Sequence, residues 1–145
     1  MRSKEIQRML GKVPRRLLIL PALILTLMVG NPAWGEWIEV GKSREGDTYY
    51  FDFDRIKKNG GYIYIWGMID LLVPSKTGLM SSKTYSQFDC NLFKYKDLSF
   101  LFYKESKGMG TPRSQFTPPN KWKYPLPNSV DEHLFKSVCN HLKIK

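Results

Sequence analysis

The sequence predicts an α+β domain: a small antiparallel β-sheet of about five to six strands packed with a C-terminal α-helix and closed by one disulfide. Three observations carry that expectation. Residues 37–103 break into short runs with period-two alternation, rich in aromatic and β-branched side chains and separated by Gly, Asn, Asp and Pro clusters. Residues 129–142 switch to helical spacing behind a capping box. The two cysteines, Cys90 and Cys139, fall one at the end of a strand run and one on the helical stripe.

Ahead of these elements, residues 1–35 read as a cleavable secretory signal peptide. Arg2, Lys4, Arg8, Lys12, Arg15 and Arg16 stand against the single acid Glu5, and Leu17 to Gly30 is apolar except for Thr26. Crossing a hydrocarbon core takes about 20 helical residues, so this run is short for a permanent span, although an uncleaved anchor is the alternative. Pro32 ends the apolar helix, and the small residues Ala33 and Gly35 predict cleavage between Gly35 and Glu36, leaving residues 36–145 as the domain. Met9 is an alternative start, and general secretion fits better than a twin-arginine route. No cysteine lies near the boundary to accept a lipid, so membrane contact is expected only through the leader before cleavage.

The formal charge of +10 divides along the chain. Half of it belongs to the leader, and the rest is spread over the domain rather than clustered, which argues against nucleic acid.

Trp37 to Gly41 alternates apolar with polar or small residues, as a half-buried strand does, and Thr48 to Phe53 follows as a second strand after the turn Glu45-Gly46-Asp47. Asn59-Gly60-Gly61 tolerates positive φ and predicts a hairpin into the longest strand, Tyr62 to Val73. There Ile63, Ile65 and Ile69 share one face, and Tyr62, Tyr64, Trp66 and Met68 the other. Leu79 to Cys90 and Tyr95 to Tyr103 supply two more strands, the latter with Leu98, Phe100 and Phe102 on one side. Residues 106–120 lose all periodicity and read as a mobile surface loop, a natural place for contacts. Ser129-Val130-Asp131-Glu132 then caps a helix whose stripe is Val130, Leu134, Phe135, Val138, Cys139 and Leu142.

Two cysteines in an exported domain most simply form one bridge; a reactive thiol pair or metal ligation are the alternatives, although no CxxC is present. The catalytic inventory is thin. His133 is expected to face solvent and His141 to sit at the edge of the apolar stripe, with no acidic cluster of metal-ligand type beside either. Asp52 and Asp54 read as a solvated pair flanking a turn. Nucleophile elbows, phosphate loops and HExxH are absent, so no catalytic residue, metal or cofactor is expected. Aromatic side chains exceed what one core of this size is expected to hide; core packing is the alternative for such strand stripes, and any that are exposed make the sheet face a surface for protein or glycan contacts or for a homodimer. Lys121, Trp122, Lys123 and Tyr124 interleave cations with aromatics as an anionic-ligand patch, and Arg113 in the 106–120 loop joins them as a ligand-binding candidate.

An ordered set of features runs through the domain: Trp37; Tyr49-Tyr50-Phe51-Asp52 leading to Ile56 and a glycine turn; Ile65-Trp66; Ser86-Gln87-Phe88-Asp89-Cys90; Gly108 and Gly110; Trp122; Pro127-Asn128-Ser129; and Val138-Cys139. On these residues the chain resembles the bacterial surface-adhesin protein E family. The resemblance implies a small antiparallel sheet with a C-terminal helix, a disulfide between the matching Cys90 and Cys139, and display in the cell envelope. It also implies binding of host matrix and plasma glycoproteins, dimer formation and a link to haem, none of which carries a ligand residue over to this chain. The expected function is thus an exported, non-enzymatic binding domain for protein or glycan, periplasmic or on the cell surface. A periplasmic structural or assembly factor without adhesive activity is the rival.

Overall fold

A computed structural model of the chain describes residues 35–143, so the expected leader lies outside the described residues. Seven strands form one antiparallel sheet: β1 (Trp37–Lys42), β2 (Thr48–Asp52), β3 (Lys57–Asn59), β4 (Tyr62–Asp70), β5 (Ser81–Asp89), β6 (Lys94–Tyr103) and β7 (Ser114–Phe116). The spatial order is β1-β2-β4-β5-β6-β7, and β3 pairs with the first part of β4, alongside the stretch that β2 occupies further on. Among the described residues one α-helix, α1 (Val130–His141), crosses one face.

The short-range chemistry of the strands explains most of this. Gly60 and Gly61, at φ +57° and +80°, form the two-residue loop that joins Asn59 to its partner Tyr62, a turn that needs positive φ at both positions. The alternation in β4 buries Ile63 and Ile65 under the helix. Phe51 and Phe53, then Phe88 from β5, meet Phe135 and Val138 of α1, and Phe88 lies 5.6 Å from Phe135, ring centroid to centroid. Three-residue β3 and β7 are too short to announce themselves by periodicity. The expected free loop is therefore better ordered than its composition suggests: Ser106–Gly108 makes a 3-10 turn, and Arg113 N–H donates to Phe102 O at 2.7 Å to start β7.

Cys90 follows the last residue of β5, and Cys139 lies on the buried stripe of α1; they are disulfide-bonded, with Cα atoms 5.8 Å apart. The N-terminus of α1 is capped as expected by Ser129 Oγ, which accepts from Glu132 N–H at 3.1 Å. Glu132 departs from the standard box. Its carboxylate accepts from Asn128 N–H at 2.7 Å, one residue before the cap, because Ser129 N–H is already turned toward Leu126 O. Val130 is 39% exposed, so the packed stripe narrows to Leu134, Phe135, Val138, Cys139 and Leu142.

Two sequence expectations change here. Asp52 is wholly buried: it accepts from Arg55 N–H at 3.2 Å and is ion-paired with the Arg55 guanidinium, so it caps a 3-10 turn at Phe53–Arg55. Only Asp54 is solvated. Strand β6 carries a bulge, its register stepping from Ser99 opposite Tyr85 to Asp97 opposite Ser86, so the face expected for Leu98 is taken by Asp97.

The bridge closes a loop of about fifty residues, and on chain-entropy grounds it stabilises the fold by about 4 kcal/mol. Replacing both Cys90 and Cys139 with Ser is expected to lower the unfolding free energy by about 2–5 kcal/mol in denaturant titrations. Dithiothreitol should produce the same loss in the parent protein and none in the variant.

Candidate functional site

The helix covers only part of its face of the sheet, and beside it lies an open cleft of about 320 Å³. Leu134 and Phe135 form one wall, while Tyr49, Thr84, Ser86 and Phe100 contribute to the floor. The β6 bulge turns Asp97 into this cleft, where it is satisfied twice. Ser86 Oγ donates to one carboxylate oxygen at 2.8 Å and Lys123 Nζ to the other at 2.5 Å. Tyr95 O–H donates to Asp131 at 2.9 Å, tying β6 to the first turn of α1. Burial first, then the Asp131 charge and hydrogen bond, push the Tyr95 phenol well above the usual tyrosine range. Tyr49, on the same floor, is raised chiefly by burial as well. The polar groups of the cleft thus hold one another: the carboxylates are paired and the phenolic proton is retained. That arrangement positions elements of the fold, and it offers no free nucleophile with a base beside it.

No α-helix of the described residues lies on the opposite face of the sheet. Its upper end is closed by Lys83, whose ammonium stands 4.9 Å from the Tyr103 ring centroid and 5.5 Å from that of Trp37 and donates to Gly108 O at 2.9 Å. Gly108 has φ +60°, and a Cβ there would run into the Lys83 side chain, so this close approach requires glycine. Burial and the nearby Arg55 lower the Lys83 pKa. Below that closure runs a partly exposed aromatic stripe: Trp66 and Tyr85 with centroids 5.0 Å apart, Tyr64 6.2 Å from Tyr85, and Tyr62 5.8 Å from Trp122. Strand register sets lysines beside it, with Lys57 opposite Tyr64 and Lys96 opposite Gln87. Lys94 and Lys96 hold their ammonium groups 4.6 and 4.7 Å from the centroid of Trp122.

The five ligand-binding candidates read from the sequence are not brought together. Lys123 pairs with Tyr95 of β6 through an isolated bridge, so alternation sends Trp122 and Lys123 to opposite faces of the sheet. Trp122 joins the aromatic stripe, whereas Lys123 is committed to Asp97. Lys121 and Tyr124 are exposed on either side. Arg113 sits against Phe102, seven residues along β6 from Tyr95 and so about 23 Å away at 3.3 Å per residue. Lys57, Lys94 and Lys96 were not singled out in the sequence. The pattern Lys94-Tyr95-Lys96 puts two cations on one face of a strand, but only the pairing shows that Trp122 meets them. His133 is exposed as expected and contacts Val40 O at 2.7 Å, while His141 stacks on Phe53 at 4.0 Å. Among the described residues no group of His, Cys, Asp and Glu could hold a metal ion.

A family model described as surface-adhesin protein E matches residues 37–140. Solved structures of Haemophilus influenzae protein E share the fold. Crystal form II superposes with a TM-score of 0.54 at 16% identity, covering 72% of this chain and 87% of the other. A further structure from the same organism gives 0.54 at 16% identity with 75% and 87% covered, and protein E from the non-typeable organism gives 0.51 at 16% with 74% and 78% covered. A search of curated proteins found no match.

The folded protein keeps the Tyr95 proton through the range near pH 10 where an unfolded tyrosine loses it, so it binds more protons than the unfolded chain and its stability falls as pH rises above about 10. Absorbance titration at 295 nm is expected to show late tyrosine steps, and Tyr95→Phe should remove the last of them while those of Tyr49 and Tyr103 remain.

Proposed function

The chain belongs to the surface-adhesin protein E family, and from that premise we propose that it is an exported, non-enzymatic binding domain recognising protein or glycan ligands through the aromatic face of its sheet. Residues 1–35 serve as the secretory leader and residues 36–145 as the domain. The carrying observation is the stripe of partly exposed rings on one face, Tyr62 against Trp122 and Tyr64 and Trp66 against Tyr85, crossed by no α-helix of the described residues. Aromatic rings with a polar tip supply large contact area at low entropic cost, which suits recognition. The cleft under α1 supports a non-enzymatic role, since its charged groups are occupied with one another.

A second reading has its own support. Both cysteines are taken up by the bridge, so neither serves as a lipid acceptor, which favours a periplasmic structural or assembly factor.

Protease treatment of intact cells separates the two. A surface binding domain is expected to be cut while the envelope is whole; protection until the outer envelope is opened would establish the second reading instead. N-terminal sequencing of the exported protein is expected to begin at Glu36.

A further inference from the structure

The lower end of the aromatic face has a charge pattern that narrows its ligand. Lys57, Lys94 and Lys96 all project from this face by strand register, and the one carboxylate among them, Asp89, is buried. Asp89 spends its capacity inward: it accepts from Asn91 N–H at 3.2 Å and Leu92 N–H at 3.0 Å, and stands 3.9 Å from Lys94. The patch therefore retains an excess of two positive charges beside a partly exposed indole.

Two ammonium groups on one ring repel each other. The π-face of Trp122 offsets part of that cost, and Lys96 is held further by Asn120 Oδ1 at 2.8 Å. These contacts fix both cations before any ligand arrives, and an anion at the rim of the ring would relieve their repulsion. From there the stripe leads along the face through Tyr62 and Tyr64 to Tyr85 and Trp66, where the row Trp66–Tyr85–Ser99 carries no charge.

We infer that this face binds an acidic polysaccharide, with one carboxylate or sulfate group on Lys94 and Lys96, another on Lys57 three strands across, and the apolar faces of neighbouring sugar rings on Trp122, Tyr62, Tyr64 and Tyr85. The inference deepens the binding role proposed above and rests on it. Pyranose rings present C–H groups to the negative face of an aromatic ring, so a polymer alternating charged and uncharged units matches cations at one end and bare rings along the rest. Single-stranded nucleic acid also stacks on aromatics, but a phosphate at every unit calls for cations tracking the whole stripe. A bilayer surface would call for exposed aliphatic side chains beside the lysines, and the stripe is aromatic.

The test uses the purified disulfide-bonded domain, residues 36–145, on immobilised heparin eluted with a salt gradient, and in titrations followed by tryptophan fluorescence. Binding is expected at low salt, with Lys57→Gln/Lys96→Gln weakening it at least tenfold. Trp122→Ala should weaken it further. The charge-matched control Lys42→Gln/Lys136→Gln, placed elsewhere on the molecule, should bind as the parent does. Identical far-ultraviolet spectra and thermal unfolding of Lys57→Gln/Lys96→Gln and the parent keep the comparison free of folding effects. Equal losses in the control pair, equal affinity for single-stranded DNA or phosphatidylglycerol vesicles, or no retention on heparin would each overturn the inference. Failure here with surface exposure intact would leave the adhesin reading standing, whereas protection of the protein inside intact cells would remove that reading whatever heparin does.

Discussion

The covalent tie between the end of β5 and the inner stripe of α1 organises the rest of this molecule. A twelve-residue helix is marginal alone in water, and this one holds its place because Phe135, Val138 and Cys139 are packed against Ile65, Phe88 and Phe51. The bridge removes the freedom of about fifty intervening residues in the unfolded chain, which include β6, the 106–108 turn, β7 and the segment carrying Trp122. The lysines of β6, the 106–108 turn and Trp122 on the far side of the sheet are thus enclosed in a loop that a bond at the near side closes.

The two faces of the sheet are covered on a diagonal. The helix shields the part of one face around Ile63, Ile65 and Phe88, and the 106–108 turn with Lys83 shuts the other face around Met68, Ser81 and Tyr103. What is left uncovered follows from that geometry: on one side a cleft whose polar groups are mutually paired, on the other an aromatic stripe with unspent charge at its end. Membership of the surface-adhesin protein E family accords with the binding role proposed for the stripe.

Much of the architecture was legible in the residues. Alternation in Tyr62 to Asp70, the glycine pair after Asn59 and the serine cap at 129 each act over a few positions, so the sequence displays them directly. The reading broke where tertiary pairing overrides local period. A single extra residue in β6 exchanged the faces of Leu98 and Asp97, and the bridge from Tyr95 to Lys123 divided an apparently contiguous Lys-Trp-Lys-Tyr patch between two surfaces. Asp52 looked solvated because it stands beside a turn, yet its neighbour Arg55 allows it to be buried. Lys94 and Lys96 share one strand, but the Trp122 ring they meet comes from a segment more than twenty-five residues further on, so only the assembled sheet puts them together.

The bridge at Lys123 and the short strand β7 also occupy successive stretches of the outer side of β6. At the other end of the sheet, β1 is bulged at Val40, and His133 engages the carbonyl that the bulge turns outward. Each margin is thereby interrupted as a template for another strand, which limits the edge-to-edge pairing that open margins invite. With edges this short or bulged, little uninterrupted hydrogen-bond ladder is left to extend, and the flat faces of the sheet are its larger open surfaces.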